Sequence, residues 1–156
     1  MREILFRGKT VENVKLVRDK IIKSGDWVEG SLVDFSKLND NPHCEIYVYD
    51  TETKVQNYFK VLSDTVSEYT GLIDKNGRKI FEGDIIICRV SAGGGRFTDT
   101  ITATGYVEMQ HGAYGLHTEN GYYNTFKKSW LECCEYEIIG NVYDNSELIK
   151  GDRICL

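Results

Sequence analysis

The chain has 156 residues, with 19 Lys+Arg against 24 Asp+Glu and a formal net charge of −5, which suits one domain of ordinary size or two small ones. Hydrophobic residues at 41% and charged residues at 28% exclude an intrinsically disordered composition. The acidic balance argues against a dedicated polyanion binder, and no apolar run approaches the ~20 residues of a membrane span.

The opening Met1-Arg2-Glu3-Ile4-Leu5-Phe6-Arg7-Gly8 returns to charge too soon for a secretory signal, so a cytoplasmic protein is expected. Fifteen glycines, one proline and 10 tyrosines fit many short strands joined by glycine turns. Glu3–Phe6 reads as a first short strand. Val11, Val14, Val17 or Arg18, and Ile21 then recur at three- to four-residue spacing among charged residues, which predicts an amphipathic helix near residues 11–23, closed by Ser24-Gly25. Strands follow at Trp27–Leu32 and at Glu45–Asp50, where Ile46 and Val48 alternate with Tyr47 and Tyr49. Further strands are expected at Lys79–Phe81, Asp84–Val90, Ile101–Gln110, Ala113–Thr118 and Tyr136–Tyr143. Asn76-Gly77 and Asn120-Gly121 carry the signature of type I′ hairpin turns. Asn145 or Ser146 is placed to cap a short helix over Glu147-Leu148-Ile149. The boundary between two lobes falls near Ser67–Leu72, giving a β-rich N-terminal lobe (1–67), a C-terminal lobe (68–149) and a tail (150–156). Trp27 and Trp130 read as one buried anchor per lobe.

Five cysteines (Cys44, Cys88, Cys133, Cys134, Cys155) cannot all pair within one chain, so reduced thiols are expected. Cys88 lies in the apolar run Ile85–Val90 and is expected to be buried. His43-Cys44 and Cys133-Cys134 make poor zinc chelates, because adjacent residues on a strand point to opposite faces. Asp74-x-Asn76 imitates the first ligands of a calcium loop, but Arg78 and Lys79 stand where such a loop needs an oxygen ligand and a glycine. A tight turn is the better reading. Gly93-Gly94-Gly95-Arg96 has no Gly-Lys-Ser/Thr and no following helix, and so reads as a hairpin loop rather than a phosphate cradle. No metal or cofactor is expected.

Four blocks of sequence resemble a known family. Glu68-Tyr69-Thr70-Gly71-Leu72-Ile73-Asp74-Lys75-Asn76-Gly77-Arg78-Lys79-Ile80-Phe81-Glu82-Gly83-Asp84-Ile85-Ile86 resembles the central signature of the YopX family of phage and prophage proteins. Arg2–Lys9, Gly25–Gly30 and Tyr136–Leu148 resemble its opening, second and closing motifs, in family order. The resemblance implies a β-rich fold with an SH3-like barrel in the C-terminal part, a phage or prophage origin, and a homo-oligomer. It implies no activity. The stretch from Thr10 to Ser24 departs from the family's short turn between its first two blocks.

Catalytic signatures are weak. His43, His111 and His117 lie apart in sequence, and a nucleophile needs its base within hydrogen-bond reach. A hairpin face would have to bring His111 and His117 near Cys88 for acid–base chemistry, and Glu82 with Asp84 reads as an exposed turn pair as readily as a carboxylate pair. No catalytic residue is assigned. Nucleic-acid binding is the second class, because Tyr106, Tyr114, Tyr122, Tyr123 and Phe126 can stack on bases. Against it, Ile101–Phe126 holds no Lys or Arg while carrying Glu108 and Glu119. The same rings suit a self-association surface. The expected function is therefore non-enzymatic: self-assembly through the C-terminal lobe and contact with another phage or host protein.

Overall fold

The computed structural model describes residues 3–11, 15–17, 20–35, 37, 42–92, 99–118, 120–121, 123–126 and 134–149. Among these the chain is mainly β, with two short 3-10 turns and no α-helix. It divides into two compact units, residues 1–69 and 70–156, and the division falls inside a strand.

In the first unit, β1 (Phe6–Lys9), β4 (Trp27–Asp34), β5 (Cys44–Tyr49) and β6 (Gln56–Val61) pair antiparallel in the order β6-β5-β4-β1. The sheet curls, so that Thr10, just past β1, bridges to Val61 at the end of β6. The Val11 N–H donates to the Lys60 carbonyl at 3.0 Å and the Leu62 N–H to the Lys9 carbonyl at 2.9 Å. Alternation sends Val28, Ile46 and Phe59 inward, where they join Ile22, Cys44 and Val61 in one core. Each such side chain, fully buried, contributes about 1.5–3 kcal/mol. A 3-10 turn at Ser63–Thr65 then leads to β7 (Ser67–Ile73). The Thr65 hydroxyl ties it to the start of the chain by accepting from the Lys9 N–H at 2.9 Å.

Two expectations for this unit are corrected. The helix near 11–23 is absent. Lys15–Val17 (β2) and Lys20–Ile22 (β3) form an antiparallel hairpin with Leu16 opposite Ile21. The apolar spacing was carried by β-branched residues, which lose χ1 freedom in a helix and suit a pleat. The exposures follow a period of two: Ile22 is 7% exposed and Ile21 53%. The first strand begins at Phe6 rather than Glu3, because the ladder register runs over Phe6–Lys9, with β4 along its whole length and with β7 at Phe6 and Arg7.

In the second unit, β8 (Lys79–Phe81) pairs with the end of β7, while β9 (Asp84–Ala92), β10 (Asp99–Gln110), β11 (Ala113–Thr118), β12 (Tyr123–Thr125) and β13 (Cys134–Asn141) form a sheet in the order β12-β11-β10-β9-β13. Its inner face buries Ile86, Cys88, Val107, Tyr114, Leu116 and Tyr136. Ile85, pointing the other way, is equally inaccessible, so β9 begins covered on both faces, as its unbroken apolar run predicts. A 3-10 turn over Ser146–Leu148 follows Asn145. The expected SH3-like closure is not found: β12 and β13 are the two edges, and no pairing among the described residues joins them.

The turns also differ from expectation. Gly77 and Gly121 have positive φ, but Asn76 and Asn120 do not, so neither Asn-Gly pair forms a type I′ turn. The Gly77 N–H instead donates to the Asp74 carbonyl at 2.9 Å, and the Asp74 side chain organises the loop. The two consecutive positive φ values of a type I′ turn occur at His111 (51°) and Gly112 (80°), between Gln110 and Ala113, which face each other across the β10–β11 hairpin.

Candidate interaction surfaces

The aromatic stretch expected to drive self-association is split by strand alternation. Tyr114 is buried in the core, and Phe126 packs edge-on against Tyr136, with ring centroids 5.3 Å apart at 70°. Tyr106 points the other way. Tyr122 and the Trp130 anchor lie outside the described residues, as do Gly93–Arg96, Cys133 and Cys155. The inner face keeps an apolar groove of about 320 Å³, lined by Cys88, Ala103, Leu116, Phe126 and Tyr136, with Ile101 at its rim 61% exposed.

The opposite face carries a polar cluster built by the two-residue turn at His111–Gly112. That turn sets His117 opposite Tyr106 and Gly115 opposite Glu108. The His117 Nδ1 lies 2.8 Å from Glu108 Oε2 and 3.1 Å from the Tyr106 hydroxyl. The two rings stack, with centroids 4.9 Å apart, and Gln110 Nε2 donates to the same carboxylate oxygen at 2.7 Å. Because a carboxylate only accepts, Nδ1 carries the proton of this bond. The hydrogen bond from His117 lowers the Glu108 pKa; burial and the Glu108 charge raise that of Tyr106. Cys88 belongs to the inner face and His111 to the turn, so the three residues whose convergence acid–base chemistry required do not come together. Further along the outer face, Glu137 accepts from Lys75 Nζ at 2.8 Å and Arg89 Nη1 at 2.7 Å, and its pKa is lowered by the Lys75 and then the Arg89 hydrogen bond.

The turn of the central block is structural. The Asp74 side chain is fully buried. One oxygen accepts from the Asn76 and Arg78 N–H groups at 2.8 and 2.9 Å, the other from Arg78 Nε and Nη2 at 2.9 and 2.6 Å. Burial alone would raise its pKa, but these bonds outweigh it and hold the carboxyl well below the usual carboxylate range. Arg78 also donates to the Ile138 carbonyl at 2.6 Å, clamping β13. Asp84 is buried rather than exposed, because it accepts from the Phe81 N–H at 2.8 Å inside the turn. Among the described residues, no group of three or more His, Cys, Asp or Glu is placed to hold a metal ion. His43 stacks on Phe35 and sits 3.4 Å from Glu45.

The surface that sequence reasoning missed is the outer face of the N-terminal sheet. Register places Trp27 beside Lys9, Glu29 beside Arg7, and Ser31, Tyr47 and Tyr58 in one row. Tyr49 and Tyr58 are 43% and 46% exposed. Tyr47 and Tyr58 are in ring contact at 5.0 Å. Trp27 is half-buried, not the fully buried anchor expected, and lies under Arg7 Cζ at 4.6 Å and Lys9 Nζ at 5.6 Å. The alternation of Tyr47 and Tyr49 against Ile46 and Val48 was the signal that could have found this face.

No helix among the described residues is long and apolar enough to cross a membrane. No curated protein matches the chain. A crystal structure of protein EF1440 from Enterococcus faecalis is similar over 96% of this chain and 99% of that one, at 17% identity and a TM-score of 0.45. The family model described as YopX protein matches residues 6–150. That match takes in most of the chain and all four motif blocks from Phe6 onward, and the chain belongs to the YopX protein family.

Proposed function

We propose that this YopX-family chain is a non-enzymatic phage or prophage protein of the bacterial cytoplasm that assembles with itself and acts by contact with other proteins. The observation that supports this best is the apolar groove of the C-terminal sheet with Ile101 standing exposed at its rim. A two-fold contact needs a patch that both protrudes and receives. Ile101 of each copy is the protrusion, and the Leu116–Phe126 side of the groove is the recess. On this reading the sheet is an SH3-like element left open, the groove of its inner face covered by the second copy. Stable pairing would bury roughly 1,600 Å².

Sedimentation equilibrium over a wide concentration range tests it. The expected result is a species heavier than 17.8 kDa that Ile101→Glu returns to the monomer without loss of fold. A single 17.8 kDa species of the natural chain at every concentration refutes it.

A further inference from the structure

We infer that the inner side of the curled N-terminal sheet holds a small apolar carboxylate, its hydrocarbon body among Val28, Val48 and Phe59 and its charged end at the ammonium of Lys20. The site lies where the wall of the sheet splits. The ladder between β4 and β5 joins residues 31–34 to residues 44–47. Residues 27–30 of β4 pair with β1, and Val48 and Tyr49 pair with β6, so the two strands part between these stretches. Gly30 stands at the parting, where a Cβ would collide with the Tyr47 carbonyl oxygen.

In that split lies a cavity of about 300 Å³, lined by Ile22, Val28, Val48 and Phe59 together with Lys20, Trp27 and Glu29. Ile22, Val28 and Phe59 belong to the buried core, and native cores rarely keep a void larger than a water molecule. An apolar space of this size at the opening of a curled sheet, with few polar groups at its edge, has the build of a small-ligand site. The hairpin of β2 and β3 supplies the charge. Alternation puts Lys20 on the same side as the buried Ile22, so its methylene stem lines the apolar wall while the residue stays exposed at the mouth. Val17 stands opposite Lys20 across the hairpin, and among the described residues none pairs with its ammonium. Glu29 stands opposite Arg7 in the ladder with β1, which offsets its charge. The balance at the mouth is therefore a single cation over an apolar interior. Its complement is an apolar body with one anionic end: a polyanion would find one charge only, and a neutral hydrocarbon would leave Lys20 unused.

The test is calorimetric titration of the chain with octanoate, octanol and octylamine, with amide shifts in NMR to locate the bound molecule. Octanoate should bind about two- to fivefold more tightly than octanol at low salt, the worth of one exposed ion pair, and octylamine most weakly. Hexanoate should bind about fifteenfold more weakly than octanoate, for the loss of two buried methylenes. Lys20→Gln should abolish the preference for the acid over the alcohol, and Lys20→Glu should make octylamine the preferred ligand. Both variants should keep the natural urea midpoint, because Lys20 is exposed. The inference is overturned by the absence of octanoate binding at millimolar concentration, by equal binding of octanoate and octanol to the natural chain, or by a Lys20→Gln chain that keeps the preference. It is overturned equally by shifts that fall on Leu116 and Phe126 rather than on Val28 and Val48.

Discussion

Removing the Asp74 carboxylate should be among the most damaging single changes to the C-terminal unit. Its oxygens accept two backbone N–H bonds from Asn76 and Arg78, and two guanidinium bonds from Arg78 at 2.9 and 2.6 Å. A fifth, longer bond at 3.3 Å comes from the Ile138 N–H on β13. A hydrogen bond to a charged group is worth about 1.5–3 kcal/mol net, but these bonds share two oxygens and do not add. Arg78 is half exposed, 51% by side chain, so its part is discounted for solvent screening. The working figure for Asp74→Ala is therefore ~2–4 kcal/mol, because the Asn76, Arg78 and Ile138 N–H groups and the guanidinium lose their acceptor at once. Arg78→Ala, which leaves the backbone donors satisfied, should cost only ~1–2 kcal/mol. Urea denaturation measures both as shifts in midpoint at constant slope. The pH dependence supplies an independent check. The folded pKa is depressed, so the Asp74 contribution is complete above the unfolded value of about 4 and is lost as the pH falls below it toward the folded value. The gap between the natural chain and Asp74→Ala should thus be constant from neutral pH to about 5 and close in stronger acid. A cost below about 1 kcal/mol, or a gap indifferent to acid, would refute the assignment.

Gly83→Val should destabilise by ~2 kcal/mol or more, because φ is +78° and a Cβ would come within 3.1 Å of the Tyr143 ring; an unchanged urea midpoint rejects this. His111→Asn should hold or raise stability and His111→Val lower it by about 1 kcal/mol, since Asn tolerates the left-handed φ and a β-branched residue does not. Glu108→Gln should let Tyr106 ionise at lower pH, read by NMR of the phenol carbon, because the carboxylate charge adds to burial in raising it. Ile101→Glu in the ultracentrifuge, described above, completes the set.

Much of the β framework was legible because strands bury one face and write a period of two into the chain. Lys79–Phe81 and Ala113–Thr118 emerge with the bounds read from sequence. The N-terminal hairpin was misread because Val14, Val17 and Ile21 satisfy a helical spacing, while their β-branching, a weaker signal per residue, decided the outcome. Gln56–Val61 and Ser67–Ile73 were missed because their alternation mixes Tyr, Lys and Glu with apolar residues on faces whose exposure only the assembled sheet defines. The Glu108–His117 contact was within reach: once His111-Gly112 is taken as a two-residue turn, counting outward sets His117 opposite Tyr106. The aromatic N-terminal face was not, because β1 and β4 meet across a hairpin, and no local rule gives the register of Lys9 with Trp27.

That same turn also bears on time. A two-residue loop has almost no chain to close, so the β10–β11 ladder can form within microseconds of collapse. The pairing of β1 with β7 must instead bring Phe6 to Glu68, a search across most of the first unit and intrinsically slower. Folding should therefore begin near Gln110–Ala113. Pulse-labelled hydrogen exchange should find the amides of Val107 and Leu116 protected before that of Tyr69, which donates to the Leu5 carbonyl at 2.8 Å. A nascent chain would then expose its first sixty residues in an unfinished sheet, with the Trp27 face already synthesised but not yet assembled, until the strand beginning at Ser67 arrives.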